Sequence, residues 1–372
     1  MNLKQIIIFY PSFERGGVEK TIYNLLNYFK DKNIKIKLIS AKNTRINILK
    51  KINNCSLIHP KEKINIFSNR LNTAFNCGLL LFKLLKMSNS NQTIIHSMQS
   101  NIIPIIICKI MGFKIIIRNS ENPISSLRYD SSKFSFVLIY ILRFIFYNCA
   151  DKIITNSKGS AKSLKLFLLR NNFNKVKYIY NPFIRKVFKI NKHKKKIIMS
   201  AGRLTKQKNF SNLIRAFIKS ELYLDGYKLF IYGEGEDRRN LKLLIKDEKM
   251  SKVIFLKGYK KKLNREYSKA KIFVLPSIYE GLGNVLIEAI NYGTPCIATN
   301  CQSGPNEILS FGKGGYIVPI FDVNSLSETL KLSVKNYRLS LKKLKYARSK
   351  LSRFFAKSQS NKYFYELKKT LR

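Results

Sequence analysis

Ile272-Phe273-Val274-Leu275-Pro276-Ser277-Ile278-Tyr279-Glu280-Gly281-Leu282-Gly283-Asn284-Val285-Leu286-Ile287-Glu288-Ala289 decides how the rest of the chain is read. Its first four residues form a short apolar run with the length of a buried strand. Its last residues read as an apolar, alanine-containing helix, and a turn bearing Gly281 and Gly283 lies between. The unit is therefore strand, loop and helix, with Glu280 in the loop and Glu288 inside the helix. The first amides of a helix have no partner within it, so such a loop seats an anion. A carboxylate at each end of a phosphate seat suits a nucleotide-sugar. One carboxylate accepts from ribose hydroxyls and the other from sugar hydroxyls.

The same alternation runs outward from this stretch in both directions. Residues 5–10, 35–40, 93–97, 114–117 and 152–156 read as strands, with helical patterns at 17–29, 102–111 and 160–169. Tyr178-Ile179-Tyr180-Asn181-Pro182 reads as a turn, and the basic segment 185–196 as a linker. The pattern then restarts, with strands at 196–201, 228–232, 253–256, 272–275 and 295–298 and helices at 210–220, 238–247 and 285–292. Residues 337–372 read as helical and basic. Such βα alternation predicts parallel sheets covered on both faces, here as two doubly wound domains in tandem.

Size and charge agree with this. At 372 residues with 45% hydrophobic residues, the chain is long enough for two domains with real cores. Its 70 Lys and Arg against 21 Asp and Glu give a net charge of +49, which implies an anionic partner: a membrane surface, a nucleic acid or a phosphorylated substrate. Part of this charge reflects a chain rich in Ile, Asn and Lys throughout. Six Cys without a CxxC pair, and three His at 59, 96 and 193, indicate neither a zinc site nor a disulfide framework. They fit reduced thiols in a cytosolic protein. The apolar part of the first ten residues is too short for a signal peptide and reads as a first strand. No apolar run has the roughly 18–20 residues of a membrane span. The nearest, 134–149, is interrupted by Arg143. It reads either as a buried helix or as one lying in a membrane interface, with Lys133 and Arg143 offered to lipid phosphates.

Other stretches carry chemistry. In Ser200-Ala201-Gly202-Arg203-Leu204-Thr205-Lys206-Gln207-Lys208-Asn209-Phe210 a strand ends and spaced cations precede a helix. Gly202 lets the backbone approach a ligand, Arg203 offers a planar fork to phosphate oxygens, and Lys208 adds a mobile point charge. Gly233-Glu234-Gly235 follows a strand, where doubly wound folds bind nucleotides and where a plain tight turn also belongs. Gly16-Gly17-Val18-Glu19 opens the first helix but lacks the full GxGxxG pattern of a dinucleotide site. Ser303-Gly304-Pro305-Asn306-Glu307 reads as a turn capping a short helix, with Glu307 either compensating the helix dipole or touching a ligand. No Asp-x-Asp and no Walker A motif occurs.

In combination these motifs resemble the family 4 glycosyltransferases of GT-B fold: Gly16-Gly17-Val18-Glu19, Ala201-Gly202-Arg203-Leu204 with Gln207-Lys208-Asn209, Gly233-Glu234-Gly235, and Glu280-x7-Glu288. The resemblance covers nearly the whole chain and is strongest in its second half. It implies an α/β protein of two Rossmann-like domains facing a cleft. An acceptor-binding domain would span 1–182, a basic linker 183–196 and a nucleotide-sugar-binding domain 197–345, with a helix at 346–372 crossing back to the N-terminal domain. It further implies transfer with retention of anomeric configuration, without a metal or other cofactor.

Carried over by position, Arg203 and Lys208 are implied as the diphosphate clamp, Glu280 as the donor-sugar ligand near the reacting carbon, and Glu288 as the ribose ligand. Gly16, Gly17, Gly202, Gly233, Gly235, Gly283 and Asn284 would line the donor. The stretch Cys301-Gln302-Ser303-Gly304-Pro305-Asn306-Glu307-Ile308-Leu309 resembles members that move N-acetylhexosamines onto lipid-linked or surface glycans. The sequence departs from the family after the strand at 114–117, where many members carry a His and this chain has Arg118-Asn119-Ser120-Glu121-Asn122. Either Asn119, Ser120 or Glu121 contacts the sugar, or the role is dispensable, or activity is altered. The turn at Asn181-Pro182 also lacks an acidic residue often found shortly after it.

The expected activity is transfer of an N-acetylhexosamine or hexose from a UDP-linked donor to a glycan or polyprenyl-diphosphate-linked acceptor. The setting would be surface polysaccharide assembly on the anionic inner face of a bacterial plasma membrane. Two readings of other classes compete: a catalytically silent membrane-associated homologue, and a basic nucleic-acid-binding protein, for which no recognised motif is present.

Overall fold

The computed structural model describes residues 3–13, 17–43, 52, 54–61, 69–130 and 133–372. The chain divides into two compact units, Met1–Arg185 with Phe354–Arg372, and Lys186–Arg353.

Seven strands form the sheet of the first unit: β1 (Gln5–Phe9), β2 (Lys35–Ile39), β3 (Cys55–Ile58), β4 (Thr93–Ser97), β5 (Lys114–Asn119), β6 (Lys152–Thr155) and β7 (Val176–Tyr178). Their order is β3-β2-β1-β4-β5-β6-β7, with every pairing parallel. Successive side chains of a strand point to opposite faces, so these isoleucine-rich strands feed two cores. Ile6, Ile8, Ile94 and Ile116 pack with Leu25, Leu26 and Phe29 on one face. Ile7, Ile95, Ile115 and Ile117 pack with Leu81, Leu85 and Ile105 on the other.

Six strands form the second sheet: β8 (Ile197–Ala201), β9 (Lys228–Tyr232), β10 (Ile254–Leu256), β11 (Ile272–Leu275), β12 (Cys296–Thr299) and β13 (Tyr316–Val318). Their order is β10-β9-β8-β11-β12-β13, again all parallel. Both sheets thus start in the middle, grow one way, then return and grow the other way. Loops leaving the two central strands diverge at that reversal and open a crevice at the strands' carboxyl ends. The reversal lies between β1 and β4 in one unit and between β8 and β11 in the other.

The sequence pattern missed β3, β7 and β13. Each is an outer strand of three or four residues, too short for a periodic signal, and β3 and β7 alternate apolar with exposed polar residues. The run read as helical at 337–372 forms two helices, Tyr337–Ser349 and Ala356–Leu371, parted by a 3-10 turn at Leu351–Phe354, so the helix expected at 346–372 starts ten residues later. The chain passes between units at that break. The helix expected to cross back does so: Ala356–Leu371 packs on Gly17–Phe29, where Tyr28 donates to Asn361 Oδ1 at 2.9 Å and its ring meets Phe364 edge-on. The apolar run at 134–149 forms the helix Lys133–Cys149, and it is not a buried one, with Val137 54% and Ile145 50% exposed.

Candidate functional site

The charged residues singled out in the second half gather at the carboxyl ends of β8 and β11. Residues 202–204 leave β8 and run against residues 233–235, which leave β9. Gly202 N–H donates to the Tyr232 carbonyl at 3.0 Å and Leu204 N–H to the Glu234 carbonyl at 2.9 Å. The two backbones are so close that a Cβ on Gly233 would lie 1.8 Å from the Gly202 carbonyl oxygen, and one on Gly235 2.2 Å from that of Leu204. These glycines are therefore required by the approach of two chains, which fixes the base of Arg203. Arg203 itself is exposed and makes no side-chain hydrogen bond among the described residues.

Lys208 ends a 3-10 turn, Lys206–Lys208, and its aliphatic stem lies over Gly202. Its ammonium pairs with Glu280 Oε1, and the two side chains are only 13% and 8% exposed. Ser277 donates to the same carboxylate oxygen at 2.8 Å, and Ser303 donates to the Glu280 carbonyl at 2.6 Å. Gln207 Nε2 donates to the Tyr279 carbonyl at 2.9 Å, and Gln207's carbonyl accepts from Ile278 N–H at 2.9 Å. Cys301 Sγ lies 3.1 Å from the Ser277 carbonyl, and burial first, then the Glu280 charge, pushes its thiol up to about 12. It is an inert, protonated thiol. A nearly buried ion pair costs desolvation that its own attraction barely repays, so it is stable only with such added hydrogen bonds.

Glu288 lies in the helix Asn284–Asn291, which Gly283 caps. Its half-buried carboxylate accepts from the Tyr267 hydroxyl at 3.0 Å. Tyr267 is completely buried, which raises its phenol well above the ordinary value, with Glu288 adding to the effect. It therefore stays a donor. Glu280, Glu288, Arg203, Lys208, Gly202, Gly233, Gly235, Gly283 and Asn284 all belong to this unit, at or near one crevice. Glu307 is buried in the short helix Pro305–Ile308 of the same unit, next to the Ser303 that braces Glu280.

The remaining predicted residues belong to the other unit. Gly16 lies outside the described residues, and Gly17 is the exposed first residue of its helix. Asn119 ends β5 and donates to the Glu121 carbonyl; Ser120 accepts from Arg118, and Glu121 is exposed. Arg118 was not anticipated as buried. It is 2% exposed, donating to Tyr363 Oη at 3.1 Å, Asn181 Oδ1 at 2.6 Å and Ser120 Oγ, all neutral partners. His96, at the end of β4, is fully buried, with Nδ1 3.3 Å from the Ile116 carbonyl and no partner for Nε2. Burial above all, and then the charge of Arg118, lowers its pKa to about 4, so it is neutral near pH 7. Among the described residues no three His, Cys, Asp or Glu side chains are grouped to hold a metal ion. Of the cations singled out in the sequence, Arg203 and Lys208 lie at these strand ends.

Sequence reasoning also missed Ser277 and Tyr267, and quoted Ser303 only within its turn, without its bond to Glu280. Ser277 was within reach, since it stands two residues beyond β11 in the strand–loop–helix stretch itself.

Residues 182–350 match the family described as glycosyl transferases group 1. A glycosyltransferase of Methanocaldococcus jannaschii, itself uncharacterised, is 30% identical over 274 residues, 67% of each chain. This chain belongs to that family. A relative in Campylobacter jejuni, an N-acetylgalactosamine-N,N'-diacetylbacillosaminyl-diphospho-undecaprenol 4-alpha-N-acetylgalactosaminyltransferase, is 29% identical over 61% of this chain. The match spans 62% of that relative, under two thirds of its length. The fold is GT-B, as in the solved structures it resembles. Sucrose-phosphate synthase of Thermosynechococcus elongatus superposes with a TM-score of 0.80 over 98% of this chain and 99% of that one, at 15% identity. Anabaena HepE, solved with UDP and glucose, gives 0.77 over 98% and 100%, also at 15%.

Proposed function

We propose that this glycosyltransferase-family chain moves an N-acetylhexosamine or a hexose from a UDP-linked donor, with retention of configuration and without a metal ion. The acceptor is a glycan on a polyprenyl diphosphate, met at the anionic inner face of a bacterial membrane during surface polysaccharide assembly. One observation carries the reading: Arg203, exposed and without a side-chain hydrogen bond among the described residues, follows the Gly202 against which Lys208 of the braced Lys208–Glu280 pair lies, where the central strands of a doubly wound sheet diverge. The acceptor class is supported by the undecaprenol-linked substrate in the name of the Campylobacter relative.

In this reading the bond from the anomeric carbon to the diphosphate oxygen breaks, and its electron pair stays on the phosphate. The acceptor oxygen bonds to the same face of the sugar, and the departing phosphate takes the acceptor's proton. Charge therefore grows on the diphosphate, where donors fixed in advance lower the barrier most. Arg203 supplies two parallel N–H groups there. Lys208 exchanges its carboxylate partner for phosphate, which releases Glu280 to accept from sugar hydroxyls. The helix at Asn284 adds its free amides, and Glu288 holds the ribose. Glu280 and Glu288 are not the acid and nucleophile of a glycosidase, because Glu288 sits on a helix with its carboxylate held by Tyr267.

Removing one fixed donor typically costs about 10²–10³ in rate. Arg203→Ala is expected to lose that much turnover with an unchanged melting temperature. Near-normal transfer or donor hydrolysis by this variant rejects the assignment.

A further inference from the structure

The outer face of the helix Lys133–Cys149 carries a stripe of large apolar side chains turned to solvent. Val137, Leu138, Ile141 and Ile145 are 54%, 48%, 48% and 50% exposed, and Phe144 is 37% exposed. On a helix of 3.6 residues per turn these five positions fall within an arc about 120° wide. Leu166 and Leu169, 62% and 50% exposed, widen it. They are held beside the helix because Tyr140 donates to the Leu166 carbonyl at 3.1 Å and Asn148 Oδ1 accepts from Leu169 N–H at 2.9 Å. Single exposed leucines are ordinary, whereas a contiguous apolar patch of this kind marks a docking surface.

Charge selects the occupant. Lys162, Lys165 and Arg170 are exposed and flank Leu166 and Leu169 in the chain. Residues 131–220 carry a single carboxylate side chain, Asp151, and it is already bonded to Lys109 and Lys114. The patch is thus an apolar band edged by cations, and Lys162, Lys165 and Arg170 make no ion pair among the described residues. Arg143, offered to lipid phosphates in one of the two readings of this run, is half-buried and donates to the Pro123 carbonyl at 3.3 Å. The Lys133 side chain lies outside the described residues. Among the described residues no helix is long and apolar enough to cross a membrane.

We infer that this face docks on the surface of an anionic lipid bilayer. The stripe from Val137 to Ile145, with Leu166 and Leu169, enters the headgroup boundary, and Lys162, Lys165 and Arg170 meet lipid phosphates. The inference rests on the membrane element of the proposed function and names its residues, while leaving the donor site untouched.

The test is co-sedimentation of the full chain with vesicles of phosphatidylcholine alone and of phosphatidylcholine mixed with phosphatidylglycerol, alongside titration with UDP. The chain is expected to pellet with the anionic vesicles only, and less at high salt. The triple variant Val137→Ser, Ile141→Ser, Ile145→Ser is expected to weaken that binding roughly tenfold or more, as lost burial at an interface does. Lys162→Gln, Lys165→Gln, Arg170→Gln is expected to abolish the preference for anionic lipid. Both variants should melt and bind UDP as the parent does. Failure of the parent to pellet, or unchanged pelleting by the serine variant, overturns the inference. So does a parent oligomer that the serine variant converts to a monomer, which would make the face a protein contact. Loss of UDP binding in the parent with vesicle binding intact would instead sink the donor reading alone.

Discussion

Beyond β8 and β11 of the second sheet the strand ends carry formal charges, whereas around the ends of β4 and β5 of the first, Glu121 apart, amides and hydroxyls gather. Arg203, Lys208 and Glu280 stand beyond β8 and β11. At or just past the ends of β4 and β5 stand Ser97, Asn101, Asn119 and Ser120, with Ser97 donating to Asn101 Oδ1 at 2.7 Å. Arg118, in β5, is spent on Tyr363, Asn181 and Ser120. It ties β5 to the final helix and has no fork left for a phosphate. Two sheets of the same strand order therefore gather loops at the same place but line them with different groups, an ion pair and a free guanidinium in one and mostly amides and hydroxyls in the other. The order of strands fixes where a site forms, and side-chain charge fixes what it takes.

The comparison breaks most sharply at Gly233. Its Cβ would lie 1.8 Å from the Gly202 carbonyl oxygen, so Gly233→Ala must push the Arg203 loop aside. We expect a loss of about 4 kcal/mol or more of stability, read as a large drop in melting temperature and loss of UDP binding. An unchanged melting curve would show that the two loops are not locked together.

The next effect belongs to the first unit. His96 is neutral and buried, with its folded pKa lowered to about 4 against an ordinary value near 6.5. Between those values the unfolded chain binds the proton that the folded one refuses. Stability therefore falls as pH drops from about 6.5 to about 4, by up to about 3 kcal/mol, and is flat in this group above that window. Melting curves across the range should show the slope, and His96→Asn should flatten it. A slope that persists in the variant assigns it elsewhere.

The smallest effect lies at Tyr267. Tyr267→Phe removes the hydroxyl that holds Glu288 Oε2. A hydrogen bond to a charged group is worth about 1.5–3 kcal/mol at most, and Glu288 is only half-buried, so UDP should bind about fivefold more weakly. The affinity for a 2'-deoxy analogue should change little. An equal loss for both nucleotides would mean that Tyr267 shapes the helix and not the ribose contact.

Much of this was legible beforehand, and for physical reasons. Alternating strand and helix patterns are local, so the tandem sheets could be read, as could Glu280 in a loop and Glu288 in a helix. What was not legible is contact between distant residues. Lys208 and Glu280 stand 72 residues apart, and Arg118 and Tyr363 stand 245 apart, and nothing local announces either meeting. The helix Lys133–Cys149 was ambiguous because an almost wholly apolar run has no polar face to mark its exposed side. Only the packing of its neighbours shows that Val137 to Ile145 are left uncovered.

The central claim is that a pyrophosphate is held by Arg203, Lys208 and backbone amides without help from a metal ion. Calorimetric titration of UDP into the chain and its Arg203→Ala variant, each with excess chelator present, tests it most directly. The account predicts binding to the parent that the chelator leaves unchanged, and roughly hundredfold weaker binding to the variant. No uptake of UDP, uptake that the chelator abolishes, or equal affinity in the two proteins would contradict it.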